Sequence, residues 1–235
     1  MRAIGMYGYV DKYDFVMAVA KTITMMGRSV LVVDATSDNK YKYIVPNISN
    51  DVRYINQYGE VDFAMGFNSY EELQQYMAEK GMDIEKYSYV LFDVESVDKF
   101  KAYASKTMGK SYLFIASNLV SVNKTEEIVR SMREYSLEAE LVFTKVYYRS
   151  YMTRAANNYL DEKVANYAVN WSDEIYDVSQ DEQDTMVNID SQYSGLIDIR
   201  RHTKQYILYL CEFVSKLLGD EDEKTILKEI KRRKN

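Results

Sequence analysis

Apolar runs of two kinds alternate along the 235 residues. Short, continuous, β-branched runs read as buried strands: RAIGMYG (2–8), RSVLVVDAT (28–36), YSYVLFDVES (87–96), KSYLFIASN (110–118) and AELVFTKV (139–146). Such runs lack the alternation of a half-solvated strand, which is the mark of a parallel sheet covered on both faces. Between them lie helical patterns. YDFVMAVAKTITMMG (13–27) is apolar on most of its faces and stops at Gly27. SYEELQQYMAEKG (69–81) is amphipathic, with Ser69 as N-cap and Glu72 at the capping-box position. KTEEIVRSMREYS (124–136) lies between two strands, and TKQYILYLCEFVSKLLG (203–219) carries a stripe of Tyr206, Ile207, Leu210, Phe213, Val214 and Leu217. The alternation predicts one α/β domain of three layers, a mostly parallel twisted sheet with helices on both faces. It extends over residues 1–219; residues 220–235, acidic then basic, predict a charged tail or a short helix.

Composition narrows this picture. Hydrophobic residues make up 47% and charged residues 28%, which fits a globular chain, and no apolar run reaches the about eighteen residues a membrane span needs. Cys211 is the lone cysteine, so an internal disulfide and a cysteine-rich zinc site are excluded, and a reducing cytoplasm fits. A net charge of −6 argues against a broad surface for nucleic acid, while allowing a local basic patch. The 23 tyrosines are read as compositional bias, or as a contact-rich interaction surface.

Ligands of open parallel sheets sit at the carboxyl ends of strands. Polar residues mark three such ends: the loop from Tyr7 to Asp14; Asp34 with Thr36 and Asp38; and Asp93 with Glu95. Acids beside a phosphate loop can hold magnesium or orient water, and acids at strand ends also cap helices and form turns. A second segment, ASKTMGKS (104–111), satisfies the bare phosphate-loop spacing, but it closes a helix and opens a strand, the reverse of what such a loop requires. His202, the single histidine, has no second histidine or nearby cysteine to make a metal site or a triad, and reads as an exposed or capping residue. Cys211 reads as a packed thiol and Trp171 as core or rim.

Strand, loop, helix, glycine, strand, aspartate: this order and spacing resemble the ParA/MinD family of deviant Walker A ATPases. The family loop reads K-G-G-V-G-K-T-T. Counting back from Gly27 and Asp34 without a gap sets Tyr7-Gly8-Tyr9-Val10-Asp11-Lys12-Tyr13-Asp14 against it, matching at Gly8, Val10 and Lys12. Asp34 and Asp93 match the family's two strand-end aspartates. The resemblance runs weakly through most of the chain and implies a P-loop-NTPase-like fold.

The departures are chemical. The lysine that reaches the partner's nucleotide in the family is here Tyr7, two loop glycines are Tyr9 and Asp11, and the magnesium-holding threonine is Tyr13. Glycines serve there because backbone N–H groups must approach phosphate closely. Asp11 adds a like charge, which at ~4 Å and an effective dielectric near 20 costs roughly 4 kcal/mol against a phosphate. The expectation is a vestigial pocket, Gly8, Asp11, Lys12, Tyr13, Asp34 and Asp93, with no cofactor and no catalytic residue, in which Lys12 pairs with Asp11, Asp34 or Asp93. The implied function is a non-catalytic scaffold, similar to the Tad-pilus localisation proteins, that positions or assembles a pilus, secretion, conjugation or partition complex. It is expected to act as a homodimer bound to protein partners, in the cytoplasm or peripherally at a membrane or cell pole. The alternative is a working ATPase, using ATP and magnesium, in plasmid or DNA partition; an enzyme with another substrate has only Asp34 and Asp93 behind it. The basic end, Lys228, Lys231, Arg232, Arg233 and Lys234, reads as a solvated tail, or as a DNA or membrane contact with a thin apolar face of Ile226, Leu227 and Ile230.

Overall fold

The computed structural model describes residues 1–47, 51–107, 110–135, 141–149, 153–167, 169–179 and 181–232. Its strands are β1 (Arg2–Tyr7), β2 (Val30–Ala35), β3 (Tyr54–Tyr58), β4 (Val61–Met65), β5 (Tyr89–Val94), β6 (Lys110–Ile115), β7 (Leu141–Tyr148) and β8 (Val169–Val178). They form one sheet in the order β3-β4-β2-β5-β1-β6-β7-β8, parallel throughout except for β3, which runs antiparallel to β4. The helices are α1 (Tyr13–Met25), α2 (Tyr70–Glu79), α3 (Val97–Thr107), α4 (Leu119–Tyr135), α5 (Arg154–Val164), α6 (Glu182–Ser194), α7 (Lys204–Leu218) and α8 (Glu223–Arg232).

Every residue of β2 and β5 is buried, the consequence of helices on both faces, and it explains why these strands read as continuous apolar runs. One apolar layer joins Ile4 and Met6 of β1 to Phe15 of α1, Phe213 of α7 and Ile226 of α8. The other joins Tyr7 to Leu73 of α2, Phe100 of α3, Val122 of α4 and Leu160 of α5. Ser69 caps α2 by accepting from the Glu72 N–H at 3.2 Å, while the Glu72 carboxylate accepts from the Asn68 N–H, one residue earlier than a capping box would place it. Gly27, at φ +75, stands just past the end of α1. Tyr7, Tyr41, Tyr70, Tyr103, Tyr112, Tyr148 and Tyr206 are among the largest fully buried side chains, so much of the tyrosine content is core rather than contact surface.

The register sets the polar edge. Asp93 lies opposite Met6 of β1 and opposite Asp34 of β2, so both strand-end aspartates stand side by side at the carboxyl edge, next to the loop that leaves β1. Lys110 opens β6 at the other edge, where its ammonium donates to the Lys216 carbonyl at 2.8 Å. The segment 104–111 therefore contributes no phosphate loop; its residues 108 and 109 lie outside the described residues.

The C-terminal segment is helix α8. Ile226 and Ile230 are 0% and 1% exposed, packed in the layer of Phe213 and Leu217. The segment is thus not a solvated tail, and two of the three residues of the thin apolar face offered as a membrane contact, Ile226 and Ile230, lie in the core, with Leu227 half-buried. Lys228, Lys231 and Arg232 remain on the exposed side, and Arg233 and Lys234 lie outside the described residues. Ile226→Ala should lower the unfolding free energy by about 2–4 kcal/mol in urea titrations, whereas Lys228→Ala should stay within about 0.5 kcal/mol of wild type.

Candidate functional site

The loop after β1 is held shut from within. Gly8 has φ +132, and a Cβ there would lie 2.1 Å from the Phe114 carbonyl oxygen, so glycine is required at this position. Tyr7, at the place of the family's partner-reaching lysine, turns inward. It is fully buried, packs edge-on against Phe100 and Phe143, and folds over Gly5, where a Cβ would meet its hydroxyl at 2.2 Å.

Lys12 is fully buried immediately before α1. Its ammonium sits 2.7 Å from Asp93 Oδ1, donates to the Gly8 carbonyl at 2.9 Å, and reaches the Val94 carbonyl at 3.5 Å. The two carbonyls take its hydrogen bonds, and the Asp93 contact is an ion pair. The expected pairing of Lys12 with one acid of the pocket is therefore made with Asp93. Asp93 Oδ2 accepts from the Tyr41 hydroxyl at 2.8 Å. Burial, then the Asp93 charge, raise the Tyr41 phenol well above its ordinary range, so it stays a neutral donor.

Tyr41 belongs to a short turn, Lys40–Tyr43, folded around Asp34. Asp34 Oδ1 accepts from the Thr36 hydroxyl at 2.6 Å and the Thr36 N–H at 3.1 Å, and Oδ2 accepts from the Tyr41 N–H at 3.2 Å. Burial pushes the Asp34 carboxyl up to about 6, against the pull of the Thr36 hydrogen bonds. Lys40 clamps the rim, ion-paired to Asp11 and, at 2.8 Å, to Glu95 Oε1. Burial lowers the Lys40 ammonium, but its bonds to Asp11 and Glu95 outweigh this and the net shift is upward. Glu95, in turn, is shifted up by burial. Asp11 is thus locally compensated, which moderates the like-charge penalty that its sequence position suggests.

Gly8, Lys12, Asp34 and Asp93 are brought into one network, with Asp11 at its rim. Tyr13 joins only by its ring, edge-on to Tyr41 at 6.4 Å; its hydroxyl accepts from the Gln192 amide of α6 at 3.4 Å, and burial raises its phenol. Lys40 and Tyr41 are the members that the sequence reading missed. Asp14 was missed too. It accepts from the Phe15 N–H at 2.8 Å, the Tyr148 hydroxyl at 2.6 Å, the Asn188 amide at 2.9 Å and the Arg149 guanidinium, fastening α1 to the end of β7 and to α6. A cleft of about 400 Å³ remains beside the loop, lined by Tyr9, Asp11, Ser37, Asp38, Lys40, Glu95 and Asn118 among others. Three acids and one lysine face it, a poor lining for a polyanion. Among the described residues no cluster of three or more His, Cys, Asp or Glu is arranged to hold a metal.

His202, read as exposed or capping, is buried and caps the turn Ile199–Arg201, its N–H donating to the Ile199 carbonyl at 3.3 Å. Its Nδ1 faces Asp184 Oδ1 at 3.2 Å, its ring stacks on Tyr206 at 4.3 Å, and burial lowers its pKa. Cys211 is a buried thiol as expected, and Trp171 is half-buried on β8 with the Lys145 ammonium 4.4 Å from its ring.

A parallel sheet with a loop between its first strand and first helix, a lysine at the loop's end and aspartates on two adjacent strands define the ParA/MinD-type P-loop fold, and this is the fold of the chain. Solved structures agree. The MinC:MinD cell division protein complex of Aquifex aeolicus aligns with a TM-score of 0.63 at 11% identity, over 94% of this chain and 97% of that one. MinD of the same organism gives 0.59 at 13%, over 94% and 98%. A Borrelia burgdorferi protein assigned to plasmid partition and bound to AMPPNP gives 0.54 at 11%, over 98% of each chain. No protein family profile and no curated protein sequence matches the chain.

Two outcomes are expected of this network. Lys12→Met leaves Asp93 buried and unpaired and should cost about 3–5 kcal/mol of stability, of which Lys12→Met/Asp93→Asn should recover a substantial part, measured by urea unfolding. Asp34 has a folded-state pKa of about 6 against an ordinary 3.8, so the folded state holds the proton more tightly. Its contribution to stability is whole below pH 4 and is lost as pH rises through about 6. The stability of Asp34→Asn relative to wild type should therefore rise by about 2–3 kcal/mol between pH 4 and pH 7.

Proposed function

We propose that the chain is a non-catalytic scaffold of the ParA/MinD type, one that positions or assembles other machinery through protein–protein contacts and no longer binds nucleotide. The observation that carries this reading is the fully buried Lys12–Asp93 ion pair at 2.7 Å. In this fold the loop lysine is the group that would meet phosphate, and here it is ion-paired to Asp93 and donates to the Gly8 and Val94 carbonyls. To free Lys12 for a phosphate would leave Asp93 as an uncompensated buried charge. The flanking changes act in the same direction: Tyr9 and Asp11 stand where loop glycines would open the backbone amides, and Tyr41 supplies a hydroxyl to Asp93 that a hydrated metal ion would have to displace. The structural neighbours support a role in positioning or partition, since they are named for cell division and plasmid partition. The chain would work as a dimer held by side chains rather than by a shared nucleotide. No helix among the described residues is long and apolar enough to cross a membrane.

A second reading, an ATPase with an altered loop serving DNA partition, is favoured by the open cleft of about 400 Å³ beside the loop and by the AMPPNP held by a neighbour of the same fold. Isothermal titration with Mg-ATP separates the two. The scaffold reading predicts no saturable heat for the wild-type chain. Micromolar binding that Lys12→Ala abolishes would overturn the scaffold reading and favour the second.

A further inference from the structure

Cations gather at the amino edge of the sheet, the end opposite the loop. Arg2 opens β1 and Lys110 opens β6, two neighbouring strands in which Ile4 stands opposite Lys110. Arg2 and Ile4 share a face of β1, so Arg2 and Lys110 project on the same side. The last turn of α7 meets both. Arg2 Nη1 donates to the Leu218 carbonyl at 2.9 Å and to the Tyr89 hydroxyl at 3.1 Å, and Lys110 donates to the Lys216 carbonyl at 2.8 Å. Lys216 brings a third cation, ion-paired to Glu174 at 3.1 Å. All three cations line one open hollow of about 440 Å³.

Capping the carbonyls at the end of α7 accounts for one donor on each of Arg2 and Lys110. It leaves the others. Arg2 is held through Nη1, so its Nε–Nη2 edge, the edge suited to a pair of anionic oxygens, meets no other described residue. Lys110 keeps two ammonium donors. The charges are unbalanced as well. Burial lowers the Lys110 ammonium; Glu174 opposes this, and Lys216 and Arg2 lower it further. Three cations facing the single carboxylate of Glu174 leave two positive charges over.

We propose that this hollow binds a terminal, dianionic phosphate group, the phosphomonoester of a small molecule or of a lipid headgroup. Arg2 donates two parallel N–H bonds to two phosphate oxygens, Lys110 donates to the third, and Lys216 closes the rim. Charge selects the class. A phosphomonoester carries about −1.5 to −2 at neutral pH and matches the surplus, whereas a carboxylate or a phosphodiester carries one charge. Lys110 acts here as a single ammonium and not as part of a phosphate loop. The site lies at the other end of the strands from Lys12 and does not rest on the scaffold reading. In Mg-ATP the terminal phosphate shares its charge with magnesium, so the nucleotide titration reports on the loop and not on this hollow.

Two measurements on the full chain test it at about pH 8, where a phosphomonoester is fully ionised. One is phosphorus NMR titration with methyl phosphate. The other is co-sedimentation with phosphatidylcholine vesicles carrying phosphatidate, compared with vesicles carrying phosphatidylglycerol. Lys110→Met should weaken binding about tenfold and Lys216→Gln about threefold, while Glu174→Gln, which releases Lys216, should tighten it about threefold. Lys228→Ala, an exposed cation elsewhere, should change nothing. Lys216→Gln and Glu174→Gln should unfold at the wild-type temperature, which separates a lost ligand from a lost fold. Methyl phosphate binding with this pattern upholds the site with a soluble ligand; the same pattern on phosphatidate vesicles alone upholds it with a lipid headgroup. Binding that is absent, weaker than about 10 mM, or indifferent to Lys110→Met and Glu174→Gln overturns the site and leaves these cations as caps of α7. Equal binding to phosphatidylglycerol vesicles, or binding confined to duplex DNA, overturns the choice of a phosphomonoester.

Discussion

The buried ion pair between Lys12 and Asp93 is the contact around which the rest of the edge is arranged. Taking an ammonium and a carboxylate wholly out of water costs several kcal/mol per ion, and the pair is tolerable only with short contacts and further hydrogen bonds on both partners. Both conditions hold. Lys12 also meets the Gly8 and Val94 carbonyls, and Asp93 also meets the Tyr41 hydroxyl. Each of those partners then has a geometric demand of its own. Gly8 must be glycine because the Phe114 carbonyl lies where a Cβ would stand, and the Lys40–Tyr43 turn must fold over Asp34 to deliver Tyr41. The loop, the two aspartates and the turn after β2 thus form one polar unit inside an apolar sheet edge.

That unit bears on the nucleotide question. A phosphate loop works by leaving amide donors and a lysine unsatisfied until an anion arrives. Here the lysine has been satisfied by protein oxygen, and Lys40 ties the loop's Asp11 to Glu95 across the mouth of the remaining cleft. Under the proposed reading a switchable site would have become a structural one, and association through side chains would follow from the same change.

Much of the architecture was legible in the sequence because the central strands are buried on both faces and so appear as unbroken apolar runs, and because Gly27 and Ser69 mark helix ends by simple backbone chemistry. The elements that escaped have physical reasons. The β3–β4 hairpin turns through Gly59 and Glu60, both at positive φ, where the usual signal would be Asn-Gly; Glu60 is an uncommon residue there and carries an ion pair to Lys21. Strand β8 is an edge strand whose Asp173, Glu174 and Asp177 break any apolar period, as edges that resist stray pairing do. Helix α6 hides its pattern by facing polar residues inward. At the site, Asp34 and Asp93 followed from their places at strand ends and Gly8 and Lys12 from the family resemblance, whereas Lys40, Tyr41 and Asp14 did not. A turn residue gives no periodic signal, and the partners of Asp14 at Tyr148, Arg149 and Asn188 lie more than a hundred residues away. The capping place of His202 was among the readings, but its burial was not legible because its partner, Asp184, is supplied by a helix the pattern did not reveal.

The most direct measurement is a crystal structure of the chain grown with magnesium and a non-hydrolysable ATP analogue at high concentration. The account predicts Lys12 Nζ still within ion-pair distance of Asp93, the Tyr41 hydroxyl on the same carboxylate, and no nucleotide against residues 8–14. Clear triphosphate density in that hollow, with Lys12 turned away from Asp93 onto a phosphate oxygen, would contradict it.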